Sequence, residues 1–231
     1  MSEMTPILHR RGFIAGTLAA GVALTLPGCA TYGGAFSFTE AIRRLMVLSS
    51  ERAFNRMTAP GGFWDQQVAQ IGLSQFFGSR GNVLGNILTS TLFKNRLEDV
   101  VARTAIDASY RAAPIVADTV RTIGFQNAVD LIRGGPTAAT SFLRQNMGTS
   151  LIDVMVPQVG NALRVAQDPL VGQLLAGLTG VNLGGVANSF AGTVDNAIWS
   201  EIGNQEAVIR ADPGSTRDPV LMSAFGLNRA L

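Results

Sequence analysis

RLEDVVARTAIDASYRAA, residues 96–113, decides the fold class. At about 100° per residue, Arg96, Asp99, Arg103, Asp107 and Arg111 fall on one stripe. Leu97, Val101, Ala105, Ala108 and Ala112 fall on the opposite one. Opposite charges three or four residues apart, facing an alanine-rich seam, describe a surface helix whose neighbour approaches closely. Solvated pairs of this kind contribute about 0.2–0.5 kcal/mol each, so the charged stripe reads as a solvated face, with a ligand site there as the minor alternative.

Outward from this helix the same period recurs, broken by Gly and Pro, and no period-two strand is present. Upstream, Thr39 is placed to cap a helix running to about Met57, with Ile42, Leu45, Met46, Ser49 and Ala53 inward. "APGGFW" forces a turn, a second helix is expected over Asp65–Phe76, and the helix of the quoted stretch begins near Val83. Pro114 is expected to end or kink it, before a further apolar stripe of Ile115, Val116, Thr119, Val120 and Ile123. Ala128, Val129 and Ile132 then form a short helix, with Gly134 as left-handed cap and Pro136 opening the next helix. No strand precedes Gly134-Gly135 and no Walker lysine follows, so the pair is no phosphate loop.

Residues 169–194 carry no charge, but Gln173, Asn182, Asn188 and interspersed glycines argue against a membrane span. The segment reads as a buried helix followed by a loop. The last long helix, about Thr193–Arg210, turns Val194, Ile198, Ile202 and Ile209 inward. Asp195, Trp199, Glu206 and Arg210 gather on another face, a recognition spot centred on Trp199 and Arg210 or a half-buried ring with a satisfied indole N–H. Asp218-Pro219 starts a short terminal helix anchored by Phe225. The expectation is an all-α, irregular bundle of about seven to nine helices with helix hairpins and no significant sheet.

The N-terminal residues read as a label rather than as part of this bundle. Arg10 and Arg11 precede Phe13–Leu26, an uncharged run too short for the ~20 residues of a spanning helix. Leu26-Pro27-Gly28-Cys29 resembles a bacterial lipobox, which implies cleavage after Gly28 and acylation of Cys29. Each buried methylene adds about 0.8 kcal/mol, so a multiply acylated Cys29 would hold the protein to a membrane durably. "HRRGFI" resembles the twin-arginine export motif, with Phe13 at an apolar position; the alternative is that Arg10 and Arg11 supply only the basic start of a general secretory signal. Ala30, not an aspartate, follows the cysteine, which by analogy with Gram-negative lipoproteins favours the outer over the inner membrane. The domain reading is therefore an export signal over 1–28, a tether over 29–37 and a single helical domain over 38–231.

Two of the 18 basic residues and one of the 16 acidic residues lie in that signal, so the remainder is nearly neutral and offers no localised excess for nucleic acid. The single histidine, His9, lies there too, and Cys29 would be a thioether. Ser-His-Asp and Cys-His nucleophiles, zinc sites of His and Cys, and disulfides are thereby excluded. Lys94, the lone lysine, shows no local motif. No metal site and no cofactor are expected.

"GFQNAVDLIRGGPTAATSFLR" (124–144) resembles the bacterial envelope family catalogued as domain of unknown function 4197. "RAAPIVADTV", "MVPQV" at 155–159, "IWSEIGNQEAVIRADP" and "TRDPVLMSAFG" support the resemblance, which covers roughly Phe38–Gly226. It implies a mostly helical exported domain and supplies no catalytic residues. Two functional readings stand: a non-enzymatic binding or scaffold module facing a periplasmic protein or an apolar ligand, and a hydrolase of cell-wall glycan or lipid using a carboxylate pair. An inverting glycosidase needs only two carboxyls about 6.5–9.5 Å apart, and Asp195, Glu201 and Glu206 are the nearest candidates.

Overall fold

Helix α1 (Phe38–Met57) begins where Ser37, in extended conformation, accepts a hydrogen bond from the Glu40 N–H, so the cap lies two residues ahead of Thr39. The computed structural model describes residues 37–77, 91–164 and 183–226. Arg10, Arg11, Phe13 and Cys29, the expected helix start near Val83 and most of the glycine-rich segment lie outside the described residues. All five inward positions expected of α1 are buried.

The expected second helix is two. Helix α2 (Phe63–Ile71) stops at Gly72, whose φ of 79° is left-handed, and α3 (Leu73–Phe77) restarts at once. Trp64 of α2 is fully buried, and its indole donates at 3.0 Å to the Ser109 hydroxyl, which donates to the Ala105 carbonyl. Helix α4 (Thr91–Thr122) buries Leu97, Val101, Ala105, Ala108 and Ala112 while Asp99, Arg103, Asp107 and Arg111 face solvent.

Pro114 does not end α4. The ring removes the bond to the Tyr110 carbonyl, but both residues are exposed and water can take its place. Ala112, Val116 and Val120 are fully buried on either side, and their packing keeps the chain helical.

Helix α5 (Ala128–Arg133) is entered through Asn127, at φ 60°, and α6 (Ala138–Met147) follows after a tight connection. Gly134 is extended, not left-handed, and Pro136 lies two residues ahead of α6 rather than at its start. Gly134 is needed for room: a Cβ there would meet Ala138 Cβ at 2.6 Å. Helix α7 (Ser150–Arg164) packs on α4 and on α8.

Helix α8 (Leu183–Ala211) starts well before Thr193, because Val186, Ala187, Phe190 and Ala191 form a buried stripe that outweighs the poor helix propensity of Gly184, Gly185 and Gly192. Phe190 meets Phe76 at 5.2 Å, and the Thr193 hydroxyl donates to the Gln75 carbonyl. With α1, α3, α6 and α7 packed around it, α8 is the axis of the bundle. A 3₁₀ turn (Pro213–Thr216) leads to α9 (Pro219–Gly226), which lies on α1 with Phe225 buried. Asp218 caps α9 by accepting the Val220 and Leu221 N–H groups, and pairs with Arg44 of α1 at 3.1 Å. The fold is all-α, with no strand among the described residues, and none of their helices is long and apolar enough to cross a membrane.

Candidate functional site

Helix α6 opens with Thr137-Ala138-Ala139-Thr140, a first turn that holds no acidic residue and whose Thr137 side chain makes no capping bond. Its free N–H groups are met from α8. The Glu206 carboxylate, with no exposure, accepts the Ala139 N–H at 3.0 Å, the Thr140 N–H at 2.7 Å and the Thr140 hydroxyl at 2.6 Å. A negative charge at a helix N-terminus also complements the helix dipole.

Arg210, one turn along α8, donates to the same carboxylate at 2.8 Å. Its other nitrogens reach the Leu131 and Ile132 carbonyls near the end of α5, and its plane lies 4.8 Å from the Phe225 ring centroid. One ion pair therefore satisfies the start of α6, the end of α5 and the face of α9. The stretch 124–144, which carries the resemblance best, and the supporting stretch 198–213 are joined here.

Asp195 is held differently. Its carboxylate accepts the Trp199 indole N–H at 2.9 Å and an Arg144 guanidinium N–H at 3.1 Å. Burial pushes the Asp195 carboxyl above the usual aspartate value, against the opposing pull of Arg144 and Trp199. Trp199 is only 3% exposed, so its ring is a packing element with a satisfied N–H, and Trp199 and Arg210 do not form an exposed recognition face. Glu201, also buried, takes Arg56 of α1 at 3.1 Å and Gln205 at 2.8 Å.

The three acids do not converge. Asp195 and Glu206 share one face of α8, but eleven residues separate them by about 16 Å along the axis. Glu201 is turned from Asp195 by roughly 120° and from Glu206 by roughly 140°. Each meets its own arginine: Asp195 is met from the last turn of α6, Glu201 from the last turn of α1, and Glu206 from Arg210 on α8 and the first turn of α6. A carboxylate pair flanking one glycosidic bond is not assembled from these residues. Among the described residues no group of His, Cys, Asp and Glu is arranged to hold a metal ion.

Two clefts remain. One, about 270 Å³, lies between α4 and α7 and is lined by Thr104, Asp107, Arg111 and Gln158 among others, so two rungs of the α4 charge stripe border a cavity. The other, about 290 Å³, lies between α6 and α8 over the Arg144–Asp195 pair. Gly203 forms part of its floor; a Cβ there would stand 3.2 Å from Thr137 Cγ2, so the glycine lets α6 approach α8 closely.

Arg144, Arg56 and Thr140 are the residues that sequence reasoning missed. Their partners lie far away in the chain. One local sign existed: a first turn of α6 without an acidic residue or a working cap needs an acceptor from elsewhere.

Fold and site together define a helical bundle in which buried acids, each paired with an arginine, tie helix ends to a central helix. The chain belongs to the family described as a protein of unknown function, DUF4197, whose model matches residues 34–226. Neither the curated proteins nor the solved structures give a match.

Proposed function

We propose that this chain is an exported lipoprotein of the bacterial envelope, anchored through Cys29, whose helical domain is a binding or scaffold module without a reaction of its own. Residues 10–29 support the address: paired arginines, a short apolar run and a small residue before Cys29. The outer membrane is favoured by Ala30.

The observation that bears most on the module reading is the engagement of Asp195, Glu201 and Glu206, each held by its own arginine in the joints between helices. A general acid or base must be free to exchange a proton with substrate, and Glu206 in particular has its oxygens filled by backbone and guanidinium donors. These acids serve the fold, and the open surface is left for a partner.

Crosslinking and co-purification from the native envelope, comparing wild type with Cys29→Ser, tests both halves. The expected result is a defined partner captured from the membrane fraction and loss of that fractionation in the variant. Release of fragments from purified cell-wall glycan or lipid by the pure protein, abolished by amide variants of the three acids that remain folded, would overturn the module reading.

A further inference from the structure

We propose that the cleft between α6 and α8 binds one neutral saccharide unit; the proposal rests on the module reading and supplies its ligand class. The hydroxyls of Thr137, Ser141 and Ser200 line this cleft, and among the described residues none of the three has a hydrogen-bond partner. Asn196, Asn204 and Arg144 add two amides and a guanidinium. Hydroxyl and amide groups that can each donate and accept are the natural complement of a polyol, whose ring substituents do the same.

Charge decides against an anion. Arg144 is the one basic side chain in the lining, and it is already bound to Asp195 at 3.1 Å and to the Asn196 side-chain carbonyl. The start of α6, which would otherwise attract phosphate, is filled by the Glu206 carboxylate, beside the same Thr137 and Thr140 that line the cleft. A phosphate entering here would meet a buried negative charge and no unpaired positive one.

An apolar ligand fits no better, because it would strip water from the free hydroxyls and return nothing. This replaces the apolar ligand expected from sequence with a polar one. The volume of about 290 Å³ lies just below the usual ligand-pocket range, the scale of a single ring rather than of a polypeptide segment. Gly203 and the buried Trp199 border the cleft from α8.

The Trp199 indole N–H, bonded to Asp195 under the cleft, is a local reporter. Its ¹⁵N–¹H resonance in the full detergent-solubilised chain, assigned by its absence in Trp199→Phe, is titrated separately with glucose, N-acetylglucosamine, inorganic phosphate and a short Ala-Gly peptide. The expected result is a saturable shift with at least one of the two sugars and none with phosphate or peptide. Ser200→Phe, at an exposed position, should fill the cleft and weaken the response at least about tenfold; Ser141→Ala should weaken it about threefold to tenfold. Both variants must keep the wild-type far-UV spectrum.

No response to either sugar in a folded chain overturns the proposal, as does saturation by phosphate or peptide, or a sugar response that Ser200→Phe leaves intact. Partner capture from the envelope is read independently, so loss of the saccharide site and loss of the module reading are distinguishable.

Discussion

Replacing Glu206 by alanine removes the acceptor that joins the start of α6 to α8. Two backbone N–H groups at the start of α6 and the Thr140 hydroxyl lose their partner, and Arg210, 9% exposed at its side chain, loses its counter-charge. Breaking a buried pair by removing one member costs about 3–5 kcal/mol. Orphaned buried N–H groups alone cost about 1–3 kcal/mol each, and admitted water recovers part of that, so the two routes agree. Arg210 keeps the Leu131 and Ile132 carbonyls and the Phe225 face, which holds the figure within the range. Domains are stable by only about 5–15 kcal/mol, so the loss is a large share of the total.

Urea unfolding followed by far-UV circular dichroism reads this directly: with a slope of about 2 kcal/mol per M, the midpoint should fall by about 1.5–2.5 M. Glu206→Met combined with Arg210→Leu should cost less than the sum of the two single changes by at least about 1 kcal/mol, because the double variant leaves no unpaired charge. A loss below about 1 kcal/mol for Glu206→Ala, or strict additivity in the cycle, would refute the clamp.

Three further outcomes follow from other parts of the fold. Asp195 has a raised folded-state value, so its stabilising effect is full below the unfolded value of 3.8 and is lost as pH rises through the folded one; the urea midpoint of wild type relative to Asp195→Asn should therefore rise as pH falls from 7 toward 4, and an unchanged or opposite trend contradicts the burial effect. Asp218 behaves in the reverse sense: burial raises its carboxyl, but hydrogen bonds from Arg44 and from the Leu221 and Val220 N–H groups outweigh this and hold it low. Its contribution is present above 3.8 and lost as pH falls through the lower folded value, so Asp218→Ala should cost about 1 kcal/mol at pH 7 and progressively less below pH 4 in the same assay. Pro114→Ala should raise the urea midpoint, by about 1–2 kcal/mol of stability, because it restores the helix bond that the ring removes; a fall would mean that α4 depends on the ring.

The fold was legible where packing follows a local period. The alanine seam of α4 and the inward residues of α1 and of the C-terminal half of α8 lie where the 3.6-residue repeat puts them. It was illegible where tertiary packing overrides a local breaker. Pro114 reads as a stop until the buried valines beyond it are known, and Gly184-Gly185 reads as a loop until Phe190 is seen against Phe76. Gly134 is required by its contact with Ala138 rather than by the backbone handedness that its place after a short helix suggests. The candidate site was least legible. Asp195, Trp199, Glu206 and Arg210 were seen to share a face, but their partners Arg144, Thr140 and Leu131 lie 51 to 79 positions away, beyond any spacing rule. A charged face read as accessible from one helix is a buried joint once a second helix covers it.

The most direct measurement is the intact mass of the protein isolated from the membrane fraction of its natural host. The expected mass is that of a chain that starts at Cys29 and carries a diacylglycerol thioether together with an amide-linked acyl group. A chain that retains residues 1–28 and shows no acyl increment would contradict it.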